Sequence, residues 1–282
     1  MSTCAITGAN GFVGRALVRR FLADGWTVVA LVRKPQFAPP GCMARAFVLG
    51  ELPPPDLLAG VDLLVHAAYD FSARSWADIC RINAVGSDLL FDAATRAGVK
   101  RQIFISSVAA FEGCRSLYGL GKLAAEDAAL IRGGAVIRPG VVYSEDNGGL
   151  AARVEATAKR FPLVPMVGDG RYPLYTCHVD DLCALIAHLA RAQDLPRAII
   201  TAANPTPITL RRLVESVTPP PRLVPIPWRL FAAGLRLAEA LGLRPAFRAD
   251  SVVSLVHGNA NPDFSALREC PVTFRPYAPP SS

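Results

Sequence analysis

The stretch TGANGFVG, residues 7–14, limits the fold of this chain more than any other part of the sequence. It follows an apolar run at 3–7 and precedes apolar residues at helical spacing, so it joins a strand to a helix. Gly8 permits a tight turn, Gly11 lets a diphosphate approach the backbone, and Gly14 lets the helix lie close to the sheet. The helix N-terminus then offers free amides to the anion. This arrangement predicts a dinucleotide site.

Strand and helix patterns continue to alternate through the first half of the chain. Further buried-strand patterns occur at 61–68, 101–107 and 135–142, with helical stretches between them. Such alternation is typical of an α/β protein with a doubly wound parallel sheet and helices on both faces. We therefore assign residues 1–143 to a dinucleotide-binding core of the Rossmann type.

Beyond residue 143 the alternation becomes irregular and proline-rich stretches appear. The pattern predicts a smaller C-terminal substrate-binding lobe assembled from 144–176 and 204–282. Residues 177–203, a helix followed by a strand, return to the main sheet. Little structure is expected after about Tyr277.

Composition argues against several other classes of protein. No apolar run reaches the ~18 residues of a membrane-spanning helix, and the N-terminus lacks a secretory pattern, so we expect a cytoplasmic protein. The seven cysteines include no Cys-x-x-Cys pair and predict reduced thiols without a metal site. Although the net charge is +7, the arginines are spread along the chain, which favours an anionic cofactor over nucleic acid. The basic amphipathic segment 227–244 can lie on a membrane surface, but packing on its own protein is the commoner outcome.

The end of the second strand bears on the choice of dinucleotide. An acidic residue there would bind the adenosine ribose, whereas this chain has Arg33 and Lys34 in LVRKP. Two cations suit the 2′-phosphate of NADP, and an arginine can bind it in bidentate fashion. The sequence thus favours NADP over NAD; the alternative is an ordinary solvated basic loop.

Seven segments occur in an order that is typical of one superfamily: TGANGFVG, VDLLVHAA, RINAVGSDLL, FISSVAAFEG, YGLGKLAAE, VIRPGVVY and HVDDL. They cover roughly residues 3–190. The chain resembles the short-chain dehydrogenase/reductase superfamily, in its extended or atypical branch, which includes the NAD-dependent epimerase/dehydratase proteins. A homodimer is one further expectation from this resemblance.

The resemblance implies four catalytic residues. Tyr118 would exchange a proton with a substrate hydroxyl or carbonyl. Lys122, one helical turn later, would bind the nicotinamide ribose and hold the phenol near its deprotonated form. This would bring the pKa of the phenol closer to the working pH than that of a free tyrosine. Ser107 would hydrogen-bond the same substrate oxygen, with Ser106 in a local packing role. Asn83 would shape the active site or relay water; its alternative is a buried structural amide.

The cofactor contacts follow from the motifs and the resemblance together. Ala67 and Ala68 are small enough for a ribose to approach, whereas a structural role is favoured for His66. Glu51 occupies a position that relatives use near adenine. The predicted cofactor-binding set is Gly8, Asn10, Gly11, Phe12, Val13, Gly14, Arg33, Lys34, Glu51, Leu52, His66, Ala67, Ala68, Lys122, Pro139 and Gly140.

Two departures from the family pattern concern the substrate. Relatives that act on nucleotide-diphosphate sugars often carry an asparagine where this chain has Val141, and an arginine where it has Leu174. A diphosphate needs fixed donors or cations, so these losses weaken a sugar-nucleotide substrate. Arg171 is the remaining candidate for a substitute cation, or it is merely a loop residue.

Three functions remain open on the sequence alone. The leading hypothesis is an NADP-dependent oxidoreductase that passes hydride between the cofactor and a small-molecule carbonyl or secondary alcohol. The first alternative is a nucleotide-sugar epimerase or dehydratase with tightly held NAD(P). The third is a non-catalytic NADP-binding scaffold or redox sensor, which would have no need for a tyrosine, a lysine and a serine together.

Overall fold

A computed structural model describes residues 2–144, 163–196, 198–216, 220–243, 245 and 247–278. Much of the predicted lobe segment 144–176 and the end of the chain beyond 278 therefore lie outside the described residues. Arg244, the last residue of the amphipathic segment, also lies outside them.

The strands of the described residues are β1 (Thr3–Thr7), β2 (Thr27–Val32), β3 (Met43–Ala46), β4 (Leu63–His66), β5 (Arg101–Ile105), β6 (Ala135–Pro139), β7 (Val141–Tyr143), β8 (Leu163–Val167), β9 (Pro173–Leu174), β10 (Thr176–His178), β11 (Ile199–Ala202), β12 (Ile208–Thr209) and β13 (Arg222–Ile226). Seven of them form one parallel sheet in the order β11–β6–β5–β4–β1–β2–β3. The predicted doubly wound Rossmann fold is confirmed. The order in which successive strands are added reverses between β1 and β4. In sheets of this kind, ligands bind at the carboxyl ends of the strands at that point.

The helices are α1 (Phe12–Ala23), α2 (Trp76–Ile79), α3 (Gly86–Arg96), α4 (Leu117–Leu130), α5 (Val179–Arg191), α6 (Leu210–Glu215), α7 (Trp228–Ala240), α8 (Ala249–Val256) and α9 (Ser265–Arg268). A π-helical turn, Cys80–Val85, joins α2 to α3. Within the described residues, none of these helices combines the length and the apolarity that crossing a bilayer demands.

Helices cover both faces of the sheet because alternate strand residues point to opposite sides. On one face Ile6 and its neighbours pack with Leu17 of α1 and Leu185 of α5. On the other face, Leu64 packs with Phe91 of α3 and with alanines of α4. Strands buried on both faces are apolar throughout, as the sequence shows.

One two-stranded sheet, β7–β10, packs on the core through Val142 and Cys177. Within the described residues, the smaller lobe contains the two-stranded sheets β9–β12 and β8–β13, together with α6, α7 and α8. Its boundary differs from the predicted one near the end of the chain. Phe264, Leu267 and Phe274 join the core beneath α1 and α5, and α9 packs against β11. These apolar side chains bury against the edge of the large sheet, so their segment belongs by packing to the Rossmann core.

Candidate active site

The glycine-rich turn after β1 has the shape that a phosphate group requires. Gly8 has φ +65°, a conformation that other residues rarely adopt, and its carbonyl accepts a 2.8 Å hydrogen bond from the Gly11 amide. A Cβ on Gly14 would lie 2.1 Å from the Gly8 oxygen, so the helix can begin here only with glycine at this position. The first turn of α1 carries no acidic side chain. These features fit a dinucleotide diphosphate at the positive end of the helix dipole.

Other members of the predicted cofactor set surround this turn. Asn10 and Phe12 are exposed, and Val13 is half-buried. A Cβ on Gly8 would come within 3.0 Å of the Ala68 backbone, so the turn and the end of β4 lie against each other. Pro139 and Gly140 follow at the carboxyl end of β6, where the Pro139 carbonyl accepts a hydrogen bond from Val108. Their contacts with a cofactor stay predictions.

A chain of buried hydrogen bonds lies directly beneath the turn. The Thr7 hydroxyl oxygen accepts from the amides of Ala67 and Ala68, so its proton points to His66 Nδ1, 2.7 Å away. His66 Nε2 therefore donates to Ser87 Oγ at 2.8 Å. Burial, assisted by the charge of Lys122, lowers the pKa of His66 to about 3, which keeps the ring neutral. His66 is fully buried, so its position favours the structural role over cofactor contact.

Asn83 continues the same buried chain. Its carbonyl accepts from the Ser87 hydroxyl, and its side-chain amide exchanges two hydrogen bonds with the backbone of Asp70, at 2.7 and 3.2 Å. Asn83 is 2% exposed and lies in the π-helical turn. These contacts favour the structural alternative, in which Asn83 holds the loop after β4 through both ends of its side-chain amide.

The predicted contacts with the adenosine half of the cofactor are exposed. Arg33 and Lys34 follow β2 at the surface, and Glu51 and Leu52 follow β3. The pKa of the Asp70 carboxyl is lowered, chiefly by a hydrogen bond from Ser72. The charge of nearby Arg33 adds to this effect. The four residues are thus available to a ligand, and their contacts stay predictions.

Tyr118 and Ser107 lie next to each other and are joined by a side-chain hydrogen bond. Ser107 follows β5, and Tyr118 is in the first turn of α4, whose N-terminus is capped by Ser116. Burial raises the pKa of the Tyr118 phenol, and a hydrogen bond with the Ser107 side chain opposes part of that rise. The predicted effect of Lys122 on this phenol stays a prediction.

Lys122 lies one turn below Tyr118 and is 4% exposed. Its ammonium donates a 2.7 Å hydrogen bond to the Ile105 carbonyl and lies 4.8 Å from the ring centroid of Phe104. Burial lowers the pKa of Lys122 to about 7, although the Glu126 carboxylate opposes this effect. Ser106 donates to the same Glu126, a contact that favours a local structural role for this serine.

Two aromatic residues beside Tyr118 were not predicted from the sequence. The Tyr69 ring meets the Tyr118 ring edge-on at 5.0 Å, and the Phe71 ring stacks on it at 5.7 Å. Burial is the main reason why the pKa of Tyr69 is raised, with Tyr118 and Asp250 adding to it. The only signal in the sequence was the aromatic pair in YDF after β4, which carries no known motif.

The smaller lobe encloses a cavity of about 410 Å³ in front of Ser107 and Tyr118. Its walls are largely apolar and include Val141, Val164, Met166, Leu174, Phe231 and Leu255. Val141 and Leu174, the two departures from the nucleotide-sugar pattern, thus both face the substrate space. Arg171 does not replace the missing cation, because its side chain is 83% exposed and pairs with Asp169.

Asp250 of α8 connects the smaller lobe to the helix that carries Tyr118. One carboxylate oxygen accepts from the Leu117 amide at 2.8 Å and the other from the Tyr118 amide at 2.9 Å. Nearby, Arg248 donates to the Phe71 carbonyl at 3.0 Å. Asp250 and Arg248 also line the cavity. No motif marks them, because they lie more than 100 residues along the chain from the groups that they hold.

Comparison with known proteins agrees with the fold. Residues 4–200 match the model of the NAD dependent epimerase/dehydratase family. The chain belongs to this family. It is therefore an enzyme of the short-chain dehydrogenase/reductase type, from a family that uses NAD-type dinucleotides.

Proteins similar to this chain include enzymes that are named as reductases. The ceramide reductase of Caulobacter vibrioides is 33% identical over 198 residues, which are 68% of this chain and 62% of that protein. The match thus spans less than two thirds of the relative. The 4-hydroxy-2-methyl-3-oxo-4-farnesyl-3,4-dihydroquinoline-1-oxide ketoreductase of Stigmatella aurantiaca is 29% identical, with 88% of this chain and 83% of the relative covered.

Solved structures agree with the family assignment at the level of the fold. MoeE5 in complex with UDP-glucuronic acid and NAD superimposes with a TM-score of 0.74 at 23% identity, covering 98% of this chain and 95% of its own. UDP-glucose 4-epimerase from Thermotoga maritima gives a TM-score of 0.69 at 20% identity, covering 90% and 96%. At these identities the likeness establishes the shared fold.

Proposed function

We propose that this enzyme reduces the ketone of a lipophilic small molecule, with NADPH as hydride donor and Tyr118 as proton donor. The observation that carries the proposal is the apolar cavity in front of Ser107 and Tyr118. A cavity of about 410 Å³ with mainly aliphatic walls suits an alkyl or isoprenoid substituent. Among the described residues that line it, Arg248 is the one cation, and its guanidinium already donates to the Phe71 carbonyl at 3.0 Å. The cavity therefore offers little to a diphosphate, which needs fixed donors or cations.

The residues on the cavity wall suit a carbonyl reduction. Bound nicotinamide would supply the hydride to the carbonyl carbon. Ser107 would donate a hydrogen bond to the carbonyl oxygen, and the Tyr118 phenol would pass its proton to that oxygen as charge develops. A raised pKa of Tyr118 is consistent with this direction, because a proton donor must hold its proton until the hydride arrives.

Lys122 would bind the nicotinamide ribose. When it is protonated, its positive charge would stabilise the phenolate that Tyr118 becomes after it gives up its proton. The pKa of Lys122 is about 7, which would let it gain or lose a proton near neutral pH. The apolar surroundings of Tyr118, with Phe71 on one side, would exclude water from the reacting carbonyl.

The names of several relatives support this substrate class. They are a ceramide reductase, a ketoreductase of a farnesyl-bearing quinoline oxide and a 2-alkyl-3-oxoalkanoate reductase from Stenotrophomonas maltophilia, the last 24% identical. Each name joins a reductase activity to a substrate with an apolar chain. The preference for the phosphorylated cofactor rests separately on exposed Arg33 and Lys34 at the end of β2.

The test is NADPH consumption by purified enzyme with two matched substrate sets. One set is a series of 2-alkyl-3-oxo acids of increasing chain length, and the other is UDP-glucose and UDP-glucuronic acid. We expect kcat/KM to rise with chain length, by up to about tenfold for each pair of methylenes that the cavity buries. Epimerisation of a UDP-sugar without net NADPH consumption, and no turnover of the ketones, would contradict the proposal in favour of the epimerase alternative.

A further inference from the structure

Helix α7 carries apolar residues on two opposite faces. Its inner face packs inside the smaller lobe, where Ala232 and Leu235 join an apolar cluster and Phe231 lines the cavity. Its outer face presents Leu230, which is 66% exposed, and Leu237, which is 63% exposed. A helix that packs only on its own protein has no need for this second apolar face.

Three of the exposed leucines share one side of α7. Positions 230, 237 and 241 are spaced by seven and four residues, which places them on the same side of a helix. Leu241, the residue that ends the helix, is 70% exposed. Single exposed leucines are ordinary, but a row of three on one side of a helix marks an interaction surface.

The charges around this row are positive. Arg229 and Arg236 are exposed on the same helix, and Arg222 is exposed on β13 just before it. The one acidic residue of α7, Glu239, accepts a hydrogen bond from the Ala249 amide and is thereby drawn toward α8. A leucine row flanked by arginines is complementary to an anionic lipid surface.

We propose that the outer face of α7, defined by Leu230, Leu237 and Leu241, docks on the surface of a bilayer that contains anionic lipids. A second copy of the chain is a poorer occupant, because a two-fold contact through this face would bring arginines against arginines in a chain of net charge +7. The inference goes beyond the catalytic proposal and does not depend on it. It would place the cavity behind the helix that meets the lipid.

The test is co-flotation of the full-length protein with two kinds of vesicle, phosphatidylcholine alone and phosphatidylcholine with phosphatidylglycerol. We expect binding to the anionic vesicles, weakened by salt. Leu237→Asp and Leu241→Asp should each lower the vesicle affinity by about tenfold or more, since each removes an inserted aliphatic side chain. Arg229→Ala and Arg236→Ala should each lower it about fivefold on the anionic vesicles only.

Two controls keep the result interpretable. Ile131→Asp changes an apolar residue that is 76% exposed at the end of α4, and should leave vesicle binding unchanged. Thermal unfolding checks that each variant folds, and NADPH turnover of a short water-soluble ketone should be the same in Leu237→Asp as in the wild type. If the protein does not bind either kind of vesicle, the proposal is wrong. If it instead forms a concentration-dependent dimer that Leu237→Asp abolishes, the face binds a second copy of the chain.

Discussion

The cofactor side of the cleft is shaped by backbone, whereas its substrate side is shaped by apolar side chains. Around β1 and β4, Gly8 and Gly14 occupy positions where any Cβ would be strained or would clash, and the polar groups beneath are hydrogen-bonded. On the cavity wall, Val141 and Leu174 present apolar side chains at the two positions where the sequence departs from the nucleotide-sugar pattern. Backbone geometry allows few substitutions, while a side-chain wall can change its chemistry one residue at a time.

The two sides are joined through one carboxylate. Asp250 belongs to the smaller lobe, yet its oxygens hold the first amides of the helix that carries Tyr118. An aspartate at a helix N-terminus also interacts favourably with the helix dipole. The position of the proposed proton donor therefore depends on the lobe that shapes the substrate space. Four variants test this division of labour, from the largest expected effect to the smallest.

Tyr118→Phe removes the proposed proton donor and leaves the glycine turn untouched. We expect kcat to fall by about 10²–10⁴-fold, the usual contribution of a general acid, with the Kd for NADPH nearly unchanged. Steady-state kinetics and cofactor titration separate the two. Tyr143→Phe is the matched control, since this buried tyrosine is outside the cavity lining and should keep activity. Full activity in Tyr118→Phe would remove the phenol from the mechanism.

Asp250→Ala breaks the connection between the two sides. It deletes two charge-assisted hydrogen bonds at the start of α4, so we expect the free energy of unfolding to fall by about 2 kcal/mol. Urea unfolding measures this, and kcat should fall while the Kd for NADPH holds. Asp250→Asn, which keeps one acceptor oxygen, should recover part of both losses. An alanine variant with wild-type stability and kcat would show that α4 needs no support from the smaller lobe.

Arg33→Ala acts on the cofactor side alone. If Arg33 binds the 2′-phosphate, the Kd for NADPH should rise about tenfold, or about 1.4 kcal/mol, while the Kd for NADH changes little. Cofactor titration followed by fluorescence measures both constants. Arg96→Ala, which alters an exposed arginine at the end of α3, should change neither. Equal losses for the two cofactors would contradict a preference for NADP.

Lys122→Met tests the electrostatics beneath the site in the cofactor-free enzyme. The pKa of Lys122 is lowered from 10.5 to about 7 on folding, so between these values the unfolded chain binds more protons than the folded one. The free energy of unfolding should therefore rise with pH in this window, by about 1 kcal/mol from pH 7 to about pH 8. Lys122→Met should lose this increment. An identical pH dependence in both proteins would mean that Lys122 titrates normally.

Much of the cofactor side was predictable because it depends on local sequence. The turn at residues 7–14 combines glycine spacing with a strand pattern before it and a helix pattern after it. These patterns can be recognised in a single sequence. The helical spacing of Tyr118 and Lys122 likewise predicted that both would stand on one side of α4. The pKa of the Tyr118 phenol could not be predicted from the sequence, because it depends on burial by neighbours such as Phe71 that lie elsewhere along the chain.

The sequence by itself determined the doubly wound sheet and the glycine-rich turn at its reversal point, since glycine conformation and apolar periodicity act over short stretches. Only the tertiary structure decided what the substrate space is made of and what holds Tyr118 in place. Leu174 and Asp250 acquire their roles from chain segments that meet through folding, at separations over which residue spacing carries no information.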